Sequence, residues 1–151
     1  LVGFALIIWG YGRARQAAPV LYEGTPVLAV VTILLMVPAT ILLVAALLPA
    51  GRIKVAVKHP MLTAVKAWAF AHLLVNGDLA SIVLFGAFLA WAVADRISEN
   101  RRLEAQVTKN PVLVSGQSDI VAVAVGLVVY GLFVWRLHEW LIGVPALHVS
   151  V

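Results

Sequence analysis

The chain has 151 residues, of which 63% are hydrophobic and only 12% charged, with a formal net charge of +4. An ordinary soluble domain carries about 25% charge, so this composition excludes a water-soluble globule and leaves an integral membrane protein. There are no cysteines, which removes disulfides, thiolate metal sites and cysteine nucleophiles, so a metal or haem has only the histidines, the methionines or oxygen to rest on.

Residues 1–11, 26–48, 60–75, 79–94 and 119–143 form five apolar segments. Long apolar runs without alternation predict an all-α, polytopic transmembrane helix bundle and argue against a barrel. Nothing divides residues 1–151 into more than one domain. Leu1 opens inside an apolar run with no methionine, so a preceding helix is expected, making six. In the second segment, Pro38 is expected to bend the helix. The third and fourth segments, of about 16 residues, cover roughly 24 Å each and need extension through residues 55–59 and 95–98 to span comfortably. Asn76-Gly77-Asp78 reads as a tight turn in which Asp78 caps the next helix. Over residues 95–118, Glu99 with Arg102 and Arg101 with Glu104 sit at i,i+3 spacing until Asn110-Pro111 breaks the pattern, giving a helix that leaves the membrane and then a loop.

Basic residues set the orientation, because positive loops stay cytoplasmic. Arg52, Lys54 and Lys58 on one connection, with Arg96, Arg101, Arg102 and Lys109 on another, fall on the same side. The Asn76 turn and the carboxyl terminus are therefore expected on the periplasmic side of a bacterial inner membrane. Positive charge in membrane-flanking loops points to anionic lipid headgroups as partners and gives no support for nucleic acid.

Ionisable groups inside lipid are costly and call for a reason. His72 precedes the Asn76 turn by four residues and His138 precedes Gly143 by five, so both lie at a similar depth and could face each other. Regular helical spacing puts Trp68 on the His72 stripe, and Gly131 with Trp135 on the His138 stripe, where the glycine leaves a flat patch. With Arg13, Arg15 and Arg136 on the same side, this set suits a haem b pocket in which imidazoles ligate iron and guanidiniums pair the propionates. The same residues also suit interfacial histidines bonded to neighbours and an ordinary aromatic belt, and spacing does not separate the two readings. Arg136 and Glu139 are close enough to pair with each other. His59-Pro60 is at minimum a helix start; the functional alternative is a cytoplasmic-interface site where His59, Lys58, Arg96 and Asp95 meet an anionic or polar ligand. No nucleophile elbow, phosphate loop or dinucleotide fingerprint is present.

The run from Arg52 to Ser98 and the ending from Val128 to Leu147, with His59-Pro60, Trp68, His72, Asn76-Gly77-Asp78, Trp91, Asp95-Arg96 and His138, resemble the NnrU family of bacterial membrane proteins. The resemblance implies a role in denitrification, supporting nitrite or nitric oxide reductase in active form, with reductase subunits as partners. The family is also related to the plant 15-cis-zeta-carotene isomerase, a haem b membrane enzyme, and that similarity carries onto His59 and His72, with His72 the ligand-type position. A further histidine of the first family helix has no counterpart here, which makes His138 the substitute candidate. Two functions follow: a haem-binding accessory protein of denitrification, and an integral-membrane haem enzyme acting on a lipophilic substrate by isomerisation or redox chemistry. A membrane methyltransferase is a more distant third, on the His-Pro helix start.

Overall fold

Proline at the first helical position starts two of the helices, where its missing amide costs nothing. The computed structural model describes residues 2–105 and 109–146; the expectations for Leu1 and for the carboxyl terminus fall outside the described residues. In chain order the elements are α1 (Val2–Ala17), β1 (Val20–Glu23), α2 (Pro26–Leu47), α3 (Arg52–Val57), α4 (Pro60–Val75), β2 (Asn76–Asp78), α5 (Leu79–Glu104), α6 (Gln117–Leu132), a π-helical turn (Phe133–Leu137) and α7 (His138–Ile142). The architecture is an all-α bundle. α2, α5 and the continuous run Gln117–Ile142 are long and apolar enough to cross a membrane, and α4 is a shorter apolar helix.

α4 lies between α2 and α5, with α6 packed on α2 and α1 on α5. A short helix thus takes the interior position. The packed faces are built from small side chains, among them Ala64, Ala69 and Ala71 of α4, Ala92 of α5 and Ala122 of α6, all buried. Large apolar residues point outward instead: Leu47, Ile120 and Trp135 are each more than 70% exposed (74%, 72% and 74%). Lipid is as apolar as leucine, so helices in a bilayer gain from close backbone approach rather than from hiding large side chains.

Gly126 marks one such close approach between α2 and α6. A Cβ built there would lie 2.7 Å from Ile41 Cα, a backbone atom that no rotamer change can move. Tyr130, one turn on, donates its hydroxyl to the Ile33 carbonyl at 3.3 Å. Gly126→Val is expected to force the helices apart at a cost of about 1–3 kcal/mol, read as a lower thermal midpoint in detergent. Gly131→Ala, where a Cβ meets nothing within 4 Å, should leave the midpoint unchanged.

Two local features depart from the sequence expectations. Residues 55–59 do not extend α4; α3 is a separate helix, its amides at Arg52 and Ile53 bonded to the Asp119 carboxylate at 2.8 and 3.0 Å, and Lys58 turns the chain with φ +65°. α5 instead takes all the extension at its far end, where Glu99 and Arg102 pair at 2.7 Å as their spacing implies. Asn76–Asp78 is a short strand, antiparallel to Val20–Glu23 with Tyr22 opposite Gly77. β-branched and aromatic residues in 20–22 favour that extended state. α2 runs through Pro38 without a break, while the Thr40 hydroxyl bonds the Met36 and Val37 carbonyls beside it.

Candidate functional site

Asp78 accepts the Ser81 amide at 2.9 Å and so caps α5, as the sequence implies. The Ser81 hydroxyl donates to the second Asp78 oxygen, and the Tyr11 hydroxyl pairs with Ser81 Oγ at 2.8 Å. Arg15 Nε lies 3.6 Å from Asp78, and its Nη2 donates to Asn76 Oδ1 at 3.2 Å. Asn76 in turn donates its side-chain amide to the His72 carbonyl at 2.9 Å. One polar chain therefore joins α1, the turn and the end of α4 immediately around His72. Its charge is compensated, which is what a buried carboxylate in an apolar bundle needs.

The His72 ring packs against aromatic neighbours, with its centroid 4.7 Å from Phe85 in a stacked arrangement and 5.3 Å from Trp68. Trp68 also meets Phe85 and Phe88 edge-on at 5.1 and 5.4 Å, and Tyr11 meets Phe85 edge-on at 5.9 Å. His138 is a further neighbour, 6.3 Å between ring centroids with the planes 22° apart. Two spans have converged at one depth.

Each imidazole is held by its Nδ1. His72 Nδ1 lies 2.9 Å from the Trp68 carbonyl, and His138 Nδ1 lies 2.6 Å from the Val144 carbonyl. A carbonyl only accepts, so both Nδ1 atoms carry a proton, and Nε2 is the atom on each ring that can offer a lone pair. This is the tautomer and support that histidine ligands to metals use. Two metal–nitrogen bonds of about 2 Å, plus about 1.1 Å from each nitrogen to its ring centre, span about 6 Å, close to the observed separation. Among the described residues no group of three or more His, Cys, Asp or Glu assembles, so the three or four protein ligands of a zinc site are not supplied here. A macrocycle that brings its own nitrogen ligands would ask fewer of the protein, and His72 and His138 are the residues that would hold it.

The family model described as NnrU protein matches residues 1–146. The chain belongs to the NnrU family. No curated protein and no solved structure matches it significantly.

In this NnrU chain the structure brings His72, His138 and Trp68 together and leaves other candidates apart. Gly131 is exposed and precedes the π-helical turn. A π turn takes one residue more than an α turn, so it rotates everything beyond it by about 100°, and Gly131 and His138 do not share the stripe that regular spacing assigns. Arg15 is committed to Asp78 and Asn76, Arg13 lies 6.0 Å over the Trp9 ring, and Arg136 is exposed. Arg136 and Glu139 form no ion pair among the described residues. His59 caps the far end of α4, thirteen residues or roughly 20 Å from His72, and takes no part in the pair.

Phe85, Ser81 and Tyr11 were not singled out by sequence. Ser81 follows Asp78 at capping distance, which is a usable signal; Phe85 and Tyr11 are ordinary aromatics until helix packing aims them. Val144 returns to His138 because Gly143 adopts φ +79°, the left-handed helix ending that favours glycine.

His59 belongs to a different environment. Its Nε2 is sealed from solvent with no partner among the described residues. Burial first, and the Arg96 guanidinium second, hold this imidazole below its ordinary value of 6.5. The folded protein thus keeps His59 neutral where the unfolded chain would bind a proton, so its contribution to stability is complete above pH about 6.5 and is lost as pH falls below it. The thermal midpoint in detergent should fall on acidification through that range, and less steeply in His59→Gln.

Proposed function

We propose that this NnrU protein binds haem b between His72 and His138 in the bacterial inner membrane and supports denitrification, by helping to mature, or passing electrons to, nitrite or nitric oxide reductase. The observation that carries the reading is the pair of facing imidazoles, each tied through Nδ1 to a backbone carbonyl. Haem bound there supplies a one-electron iron couple within the membrane. The chain's own residues do the rest: the Trp68 and Val144 carbonyls fix the ligand tautomers, and Phe85 and Trp68 exclude water around His72. The Arg15–Asp78–Ser81–Tyr11 chain fixes the turn above His72.

The integral-membrane enzyme reading is favoured by one further feature. A mostly apolar groove of about 470 Å³ runs between α1 and α7, lined by Ala5, Ile8, Trp9, Gly12, Arg13 and Leu141. It adjoins Tyr11 and His138 in sequence and suits a lipophilic substrate.

The test is the absorption spectrum of protein purified from haem-replete cells. A Soret band with low-spin features is expected; colourless, folded protein would remove the haem proposal. Copurification with reductase subunits supports the accessory role, and turnover of an added lipophilic substrate supports the enzyme.

A further inference from the structure

The opposite end of α4 carries a second pocket, of about 370 Å³, that the histidine pair does not explain. Lys54, Lys58, His59, Trp91, Asp95 and Glu99 line it, so charges of both signs meet over an apolar floor. Lys54 already donates to the Ala46 and Leu48 carbonyls at 2.9 Å each, and Glu99 is paired with Arg102. His59 Nε2 is sealed from solvent, which leaves exposed Lys58 and half-buried Asp95 as the groups with capacity for a ligand. No ion pair ties Lys58 to Asp95 among the described residues. On the apolar side, Trp91 and Met61 are 50% and 37% exposed, at the end of the bundle where the basic connections lie.

A fitting ligand must present a negative group to Lys58, a positive group to Asp95 and a hydrocarbon tail to Trp91 and Met61. A simple anion would leave Asp95 uncompensated, and a simple cation would leave Lys58 so. We propose that the pocket binds the head group of an aminophospholipid, its phosphate ester on Lys58, its primary ammonium on Asp95, and its acyl chains along Trp91 and Met61. The shared chemistry of a phosphate and ammonium also occurs in a soluble phosphoethanolamine, but the apolar wall is redundant for such a molecule. The lipid is therefore the occupant. This assignment is independent of haem at His72.

Native mass spectrometry of the detergent-solubilised full chain, titrated with phosphatidylethanolamine, phosphatidylglycerol or phosphatidylcholine, tests it. Phosphatidylethanolamine should be retained about tenfold better than phosphatidylglycerol, the difference one charge-assisted contact makes. Phosphatidylcholine, whose ammonium cannot donate a hydrogen bond, should be retained less well. Asp95→Asn should erase the preference for phosphatidylethanolamine over phosphatidylglycerol, and Lys58→Gln, at an exposed position, should weaken both. Equal retention of the two lipids by the parent protein, or a preference that survives Asp95→Asn in protein of parental helix content, would overturn the proposal. So would displacement of bound lipid by soluble phosphoethanolamine at the concentrations at which the intact lipid displaces it. Should Asp95→Asn fail to fold, Lys58→Gln decides alone: undiminished retention of both lipids overturns the phosphate site.

Discussion

Full-length protein carrying His72→Ala will emerge from haem-replete cells without the Soret absorption expected of the parent. In the proposed site His72 and His138 would be the residues that hold the haem, and disturbing even the support of a metal ligand commonly costs 10–100-fold in affinity. Removing the ligand itself should lower haem retention by more than about 100-fold. His138→Ala should do the same. Trp68→Phe keeps the backbone carbonyl that holds His72 Nδ1 at 2.9 Å, so it should retain the band with a modest shift. A parental spectrum in His72→Ala would transfer the ligand role elsewhere. A variant that loses colour but keeps its thermal midpoint would show that the histidine serves the cofactor rather than the bundle.

Deleting Val134 from the π-helical turn should leave haem retention in place, whereas deleting Val134 and Trp135 together should abolish it. The turn Phe133–Leu137 ends at His138 and takes one residue more than an α turn, so shortening it by one residue restores a regular α-helix and leaves His138 pointing in nearly the same direction. Removing a second residue has no extra residue to absorb it, so His138 then swings by about 100° and shifts by about 1.5 Å along the axis, away from His72. Helix content should be unchanged in both variants, because a π turn is a less favourable state than the α-helix that replaces it. Colour kept by the single deletion and lost in the double one shows that the phase of the helix aims His138. Colour retained in the double deletion would mean that the direction of His138 has no role in the pair.

Much of this arrangement was legible from residues alone, for reasons that differ from place to place. The depth of His72 and His138 could be read by counting back from Asn76 and Gly143, since helical rise is regular and both helices have clear ends. The Asp78 cap was legible because capping is local chemistry between a carboxylate and the amides that follow it. The facing of Gly131 was not, because a π turn changes rotation without changing composition. Neither was the β1–β2 ribbon: Gly77 pairs with Tyr22 across 55 residues, and no local spacing announces a partner so distant. Phe85 was hidden for a similar reason, because only the packing of α5 on α4 decides which aromatic of that helix meets His72.

α4 links the two ends of the molecule mechanically. It is a 16-residue rod with His59 at its foot and His72 one turn from its head, wedged between α2 and α5. Pivoting such a rod about its lower end by about 5° carries the upper end through about 2 Å, given a length of roughly 24 Å. An occupant arriving beside Lys58 would act on a lever whose far arm carries an imidazole.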